Sequence, residues 1–443
     1  MSSKPKIAII GGGSPNWVKN LVKDMFLTPS ISDATYLLYD IDLKAAELNV
    51  AFLQKLATQL KISPKIIASD RIESLEGSDY IGITVSTGGF ASMAHDLAIP
   101  EKFGIYHTVG DTSGPGGWAR FIRNYGPFMQ MAETIRKVAP NALVLNYTNP
   151  MTTLTDVLCR ELDNQVVGLC HGLFENLELI KRHYKLADEG EISINYGGLN
   201  HFFWCDKIKV HGKDVIKDFQ DSGKSLSDLL TSAYVDSAGH SSPDREVASE
   251  LFKLTGLLPY LGDRHTCEFF ACYITDLKKM EQYKIKRTDV AFRIKQHEEF
   301  RENLQKMVDG EIEPDYFKRS RETAADIIEA HYTQKPFVDV GNLPNIGQIS
   351  NLPLGVVVET AMRVDQNGFT PLCFGELPQS VLSFVQPYAE MFEMTVDACM
   401  EGDRVKALQA LRHDPVCANL TTREVLDMGN QLLDAHKDWI DCF

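Results

Sequence analysis

Cys170 and His201 carry side chains that together suit a borderline divalent cation, a thiolate and an imidazole. Each sits in a short glycine-flanked motif, Gly168-Leu169-Cys170-His171-Gly172 and Gly198-Leu199-Asn200-His201-Phe202. Two protein ligands are fewer than zinc normally receives, so a metal here would be completed by substrate oxygens. A buried thiol beside a hydrogen-bonded histidine is the plainer explanation, and residue types alone favour it. Gly262-Asp263-Arg264-His265, with Glu268 just beyond, gathers acid, base and guanidinium, which suits proton transfer or carboxylate binding, or else a solvated helix start. The run Gly110 to Gly117 packs four glycines and a proline around one carboxylate, Asp111. That composition fits a shaped backbone nest, with a flexible crossover as the alternative. Asn149, in Asn146-Tyr147-Thr148-Asn149-Pro150-Met151-Thr152, stands at a predicted strand end, where open α/β sheets bind ligands. Its amide could cap the next helix, with Pro150 at the first position, or hold substrate hydroxyls.

Residues so far apart need a scaffold, and the amino-terminal half supplies its pattern. Lys6-Ile-Ala-Ile-Ile-Gly is a β-branched run closed by glycine, and Trp17, Val18, Leu21, Val22 and Met25 then recur at helical spacing. Strands are predicted over 34–40, 65–68, 79–86, 142–148 and 166–169, and helices over 43–60, 118–138 and from Asn149-Pro150 onward. Alternation of this kind implies a doubly wound parallel sheet with helices on both faces, a Rossmann-like α/β unit. The turn Gly11-Gly12-Gly13-Ser14-Pro15-Asn16 meets the G-x-G-x-x-G fingerprint at its first two glycines, with Asn16 in the third place. A strand precedes it, a helix follows it, and Asp40 closes the second strand where a ribose-binding carboxylate belongs, which favours NAD over NADP. A merely tight turn is the competing explanation. Residues 192–205 alternate and are predicted as one strand, so the sheet pattern turns antiparallel or mixed near 195. The domain boundary is placed there: 1–195 a Rossmann-like NAD-binding domain, 196–443 a mixed α+β, largely helical domain for substrate, metal and oligomerisation. Between the early elements, 88–117 is expected as a glycine-rich loop. Residues 215–335 are mostly helical by period, 236–244 an exposed loop, and 391–411 and 422–436 helices.

The chain has 443 residues, long enough for two or three domains. Its 44% hydrophobic and 24% charged residues are those of a globular protein, and no apolar run approaches a bilayer span. The amino end lacks the pattern of a secretory signal, so residence in the cytoplasm is expected. Nine scattered cysteines without a CxxC pair suggest neither a disulfide framework nor a zinc knuckle. A net charge of −15 argues against nucleic acid as a partner.

Taken in order, the GGGS turn at Gly11, the LYDID segment ending at Asp42, IPEKFGIY at Ile99, VGDTSGPGG at Val109, NYTNPMT at Asn146, GLCHG at Gly168 and GLNHF at Gly198 resemble glycoside hydrolase family 4 over nearly the whole chain. These are NAD- and manganese-dependent glycosidases. VGDTSGPGG, GDRH at Gly262 and NLPNIGQISNLP at Asn342 look most like the α-galacturonidase branch, which implies a small α-linked galacturonide as substrate; α-galactosides or α-glucosides are the alternative. The resemblance implies hydride removal from C3 to NAD, loss of the C2 proton, elimination of the C1 group, water addition and return of the hydride. It places Mn²⁺ or another divalent metal on Cys170 and His201, and substrate on Asn149. His171 falls where some members keep an acidic proton donor, and Asp111 where the base is tuned. The C2 base maps to His265, with Asp263 as the alternative. Asp96 and Arg264 are expected on sugar oxygens or a uronate, and Gly11, Gly12, Gly13, Ser14, Asp40 and Asp42 on the cofactor. A homodimer or homotetramer is implied too. An ordinary NAD-dependent dehydrogenase and a non-catalytic dinucleotide sensor are the rival readings.

Overall fold

The computed structural model describes residues 4–162, 165–230, 245–313 and 317–443. Its first half alternates β1 (Lys6–Ile10), α1 (Trp17–Phe26), β2 (Thr35–Tyr39), α2 (Leu43–Leu60), β3 (Lys65–Ser69), β4 (Tyr80–Ile83), α3 (Gly89–Glu101), α4 (Gly114–Val138), β5 (Leu143–Asn146), α5 (Met151–Glu161), β6 (Val166–Gly168) and α6 (Gly172–Tyr184). β1 shows why an unbroken apolar run makes a strand here. Ile7 and Ile9 pack with Val18, Leu21 and Phe52 on one face, while Ala8 and Ile10 pack with Trp118 and Phe121 on the other. Both faces are covered by helices, so neither can be polar. The parallel strands lie in the order β3-β2-β1-β4-β5-β6. The reversal of strand order between β1 and β4 opens a crevice at the strands' carboxyl ends, as in dinucleotide-binding folds.

The second half extends the same sheet with antiparallel neighbours: β7 (Ile192–Leu199), β8 (Phe202–Val210), β9 (Lys213–Asp214), β10 (Leu258–Pro259), β11 (Phe337–Pro344), β12 (Val357–Asp365) and β13 (Gly368–Pro371). Among the described residues, the strands form one 13-stranded sheet in which β11 joins β6 and is followed outward by β12, β7, β8 and β10. No helix among them is long and apolar enough to cross a membrane.

Several expectations change. The single strand over 192–205 is a hairpin, turned at Asn200-His201 with His201 at φ 59°. Alternation continues through both arms, and without a glycine the turn leaves no compositional mark. Residues 88–117 are not one loop. They contain α3, whose Met93, Leu97 and Ile99 are buried, and the start of α4, at Gly114 rather than Trp118. The helix expected over 391–411 is two, Gln379–Glu401 and Arg404–His413, separated at Gly402 with φ 70°. Strands β11 to β13 occupy a stretch in which the sequence pattern assigns no element. The loop expected over 236–244 lies outside the described residues.

Candidate active site

A cavity of about 1020 Å³ follows the carboxyl ends of the strands. Gly11, Gly13, Ser14, Asp40 and Asp42 line it beside β1 and β2, and Asp111, Asn149, Cys170, His171, His201 and His265 line it beyond β5 and β6. β6 stands three strands from β1, roughly 14 Å at about 4.8 Å per strand, so one ligand can reach both regions only if it is extended.

The glycine turn is fixed by contacts that leave no room for side chains. Gly11 has φ 92°, and a Cβ there would lie 2.7 Å from the Thr84 carbonyl oxygen. At Gly12 a Cβ would meet Leu38 Cβ at 2.7 Å, and at Gly13 it would meet Asp40 Oδ2 at 2.8 Å. The Gly13 amide donates to Asp40 Oδ2 at 2.8 Å, and the Asp42 amide to Asp40 Oδ1 at 2.9 Å. Asp40 therefore shapes the turn as well as lining the cavity. Asp42 caps α2 through the Ala45 amide, and Ser14 Oγ accepts from the Trp17 amide at the start of α1. Asn49, which the sequence did not single out, donates to the carbonyls of Gly12 and Ser14 at 2.9 and 3.2 Å. This bare-backbone cradle at a helix start fits a dinucleotide pyrophosphate.

Cys170, just past β6, and His201, in the β7–β8 turn, converge, with Sγ 3.2 Å from Nε2. His201 Nδ1 lies 3.0 Å from Thr112 Oγ1, and that hydroxyl donates to Asp111 Oδ1 at 3.0 Å. With its proton facing Asp111, the hydroxyl accepts from Nδ1–H, which leaves the Nε2 lone pair facing Cys170. Burial, followed by the nearby His265 and His171, holds His201 well below the usual imidazole range, so it is neutral and can ligate. Burial pushes the Cys170 thiol up, and Glu359 adds to the shift. A cation at this point would reverse that penalty for the thiolate. No group of three or more His, Cys, Asp or Glu that could hold a metal occurs among the described residues, so remaining ligands would have to come from substrate or water. Behind the pair, Asn200 and Asn342 both donate to Glu359 Oε2, at 2.8 and 2.9 Å, and Glu359 is wholly buried.

His265 completes the cluster. Its ring is 3.9 Å from that of His201, centroid to centroid, and its Nδ1 is 4.0 Å from Asp111 Oδ1. Asp111 is held there by the nest its glycines suggested, but the anchor comes from elsewhere. Glu268 Oε1 accepts the amides of Thr108, Val109 and Gly110 at 2.7, 2.8 and 2.9 Å, and His107 Nδ1 at 3.1 Å. Burial opposes ionisation of Glu268, yet His107 and these amides outweigh it and bring the carboxyl down to about 2. Glu268 is thus a buried anion that holds a loop. His171 Nδ1 lies 3.4 Å from Glu322 Oε1 at the cavity wall.

Asn149 does not cap α5, whose amino end has Pro150 at the capping position and no side-chain cap. Its carbonyl oxygen accepts from Arg120 Nε at 2.9 Å, and its buried Oδ1 has no partner. Two expectations about individual residues, Asp96 and Arg264, are corrected. Asp96 is wholly buried, paired with both Arg123 Nη atoms at 2.7 Å and with His436 Nε2 at 2.8 Å, and so is closed to sugar. The Arg264 guanidinium faces loop oxygens, with Nε on the Lys286 carbonyl at 3.1 Å and Nη2 on Thr288 Oγ1 at 2.9 Å and the Thr108 carbonyl at 3.3 Å. It braces the loop that leads to Asp111, and its fork is not presented to a uronate. Asp263 lines the cavity, but its two oxygens accept the Val247 and Ala248 amides at 2.9 and 3.0 Å, fixing the start of the Glu246–Thr255 helix.

The crevice at the strand ends thus runs from a glycine turn to a thiol–imidazole pair, on an α/β sheet of the dinucleotide-binding type. Family models agree: the family 4 glycosyl hydrolase model matches residues 6–186, and that for the family's C-terminal domain matches residues 196–417. The chain belongs to the family 4 glycosyl hydrolases. It is 32% identical to an α-galacturonidase of Thermoanaerobacter italicus, over 98% of this chain and 97% of that one. An α-galactosidase of Bacillus subtilis also matches, at 28% over 98% of this chain and 99% of the relative. Among solved structures, lplD of Bacillus subtilis superposes with a TM-score of 0.88 at 30% identity, covering 97% of this chain and all of that one. A 6-phospho-α-glucosidase from gut microorganisms, solved in complex with NAD and Mn²⁺, shares the fold with a TM-score of 0.81 at 20% identity, covering 99% of each chain.

Proposed function

We propose that this enzyme hydrolyses small α-linked galacturonides and frees galacturonic acid, using NAD at the glycine turn and Mn²⁺ or another divalent cation at Cys170 and His201. The convergence of Cys170, His201, Thr112, Asp111 and His265 inside a dinucleotide crevice carries the reading. When bound, NAD supplies a reversible hydride acceptor for the sugar's C3 and the cation supplies Lewis acidity at the neighbouring oxygens, so the net hydrolysis is redox-neutral.

The chain's own residues then divide the proton work. His265 takes the C2 proton, because it stands on the metal ligand and beside the Asp111 carboxylate, which stabilises the imidazolium formed. Asp263 is the weaker candidate, since both of its oxygens hold a helix start. His171 protonates the leaving oxygen, with Glu322 beside it to favour the charged ring. Asn149 offers its unpartnered Oδ1 to sugar hydroxyls. The choice of galacturonide over galactoside follows the α-galacturonidase relatives, which exceed the α-galactosidases in identity.

The test is a panel of 4-nitrophenyl α-galacturonide, α-galactoside and α-glucoside, assayed with Mn²⁺ and a thiol reductant, with and without NAD⁺. Galacturonide cleavage that requires NAD⁺ yet leaves no net NADH absorbance is the expected result. Stoichiometric NADH would instead make the protein a dehydrogenase, and release from none of the three would end the glycosidase proposal for this site.

A further inference from the structure

We infer that Arg120 is the residue that reads the substrate's uronate carboxylate, through its two terminal Nη atoms, and so sets galacturonide above galactoside. The inference rests on the galacturonide reading above. The two sugars differ by a carboxylate in place of a hydroxymethyl group, so selectivity calls for a fixed cation with two parallel donors on the cavity wall. A guanidinium meets that geometry bidentately and a histidine does not.

The arginines of the wall are Arg120, Arg264, Arg293 and Arg301. Arg264 is held by loop oxygens. Arg293 and Arg301 lie on the Val290–Asp309 helix, which packs along α2 and α3, with His297 of the same face edge-on to Phe90 at 5.6 Å. That helix covers the cofactor side of the crevice, and its cations suit a cofactor phosphate better than a sugar. Arg120 stands differently. It lies on α4, which begins directly after the Asp111 loop, and its Nε donates to the Asn149 carbonyl at 2.9 Å. This bond fixes the guanidinium plane against the residue that offers its buried, unpartnered Oδ1 to the sugar. Nη1 and Nη2 of Arg120 have no hydrogen bond or ion pair among the described residues. Asp96, another buried carboxylate, is held by Arg123 and His436. An amide for hydroxyls and a clamped guanidinium for a carboxylate therefore sit side by side on one wall.

The experiment compares the holoenzyme with its Arg120→Met and Arg120→Lys variants on 4-nitrophenyl α-galacturonide and α-galactoside, and measures binding of free galacturonate and of NAD⁺ by calorimetry. Losing a bidentate charge-assisted pair should lower kcat/KM for the galacturonide by about 100-fold in Arg120→Met and weaken galacturonate binding in step. The α-galactoside rate should fall by less than about tenfold, from the lost Asn149 contact alone, NAD⁺ affinity should hold within about threefold, and Arg120→Lys, a point charge without the fork, should recover part of the galacturonide loss. Equal losses on both glycosides would show that Arg120 acts only by holding Asn149, and unchanged galacturonide kinetics would show that it has no part. Either result overturns the inference and leaves the galacturonide reading standing. Failure of wild-type enzyme to cleave the galacturonide, with the galactoside cleaved, would overturn both.

Discussion

At the cofactor end of the crevice, one stretch of chain from Gly11 to Asn49 makes the glycine turn, the acids that shape it and the amide that pins it. At the proposed catalytic end, Asp111, Cys170, His201 and His265 come from four separated segments and meet only because the sheet and a buried anion, Glu268, bring them together. The first end is local in sequence and braced by backbone contacts. The second is non-local and braced by buried charge. The two should therefore fail separately and for different reasons.

The largest effect expected is a double dissociation. Cys170→Ser removes the soft ligand, and should lower Mn²⁺ affinity by at least about 100-fold, followed by electron paramagnetic resonance of free Mn²⁺, while NAD⁺ affinity holds. Gly13→Ala puts a methyl 2.8 Å from Asp40 Oδ2, displacing the carboxylate that shapes the turn. It should weaken NAD⁺ by about tenfold, at a cost near 1.4 kcal/mol, with Mn²⁺ affinity unchanged. If either variant moved both affinities equally, the two ends would be one cooperative unit and the contrast would fall.

Glu268→Gln probes the brace itself. The amide keeps an oxygen for the Thr108, Val109 and Gly110 donors but removes the charge and buries an NH₂ at a position where Oε2 has no partner. A loss of about 3 kcal/mol in unfolding free energy is expected, together with a fall in kcat and little change in NAD⁺ affinity. Chemical denaturation and calorimetry check both halves. A variant with wild-type kcat would show that Asp111 does not need the nest.

The same contrast explains what could be read from the sequence. The glycine turn was legible because its residues are contiguous and each obeys a local rule: glycine where a Cβ would clash, an acid at a strand end. Cys170 and His201 were visible as residue types, but nothing local distinguished a metal pair from a buried thiol until the family resemblance ordered the motifs. Thr112 and Glu359 escaped notice because their roles depend on partners far along the chain, and β12, which carries Glu359, gave no clear period. Asp96 and Arg264 were misread for a related reason. A charged residue beside a functional motif can serve the fold, and only its partners, Arg123 and His436 for one and three loop oxygens for the other, reveal which. The helix α3 is hidden in the sequence because glycines at 88, 89, 104 and 110 flank the short apolar spacing of Met93 and Leu97.

The smallest expected effect concerns pH, and again separates the ends. Asp40 and Asp42 are at least partly accessible, whereas the catalytic end is braced by wholly buried carboxyls. Burial pushes Asp263 up to about 7 and Asp414, whose Oδ1 takes the Val416 amide, up to about 6. Between pH 4 and 7 the native state holds more protons on these two groups than the unfolded chain, so their contribution falls as pH rises through that window. Glu268 runs the other way: its depressed native value gives stability present above about pH 4.5 and lost as pH falls towards 2. These three groups together therefore make the protein without cofactor or metal less stable at pH 8 than at pH 5. Asp414→Asn keeps an acceptor for the Val416 amide and removes one charge that must be buried at high pH. Its gain over wild type should be about 1 kcal/mol larger at pH 8 than at pH 5, read from urea midpoints at the two values. An equal change at both would mean that Asp414 acts through packing alone, and that buried charge does not distinguish the catalytic end.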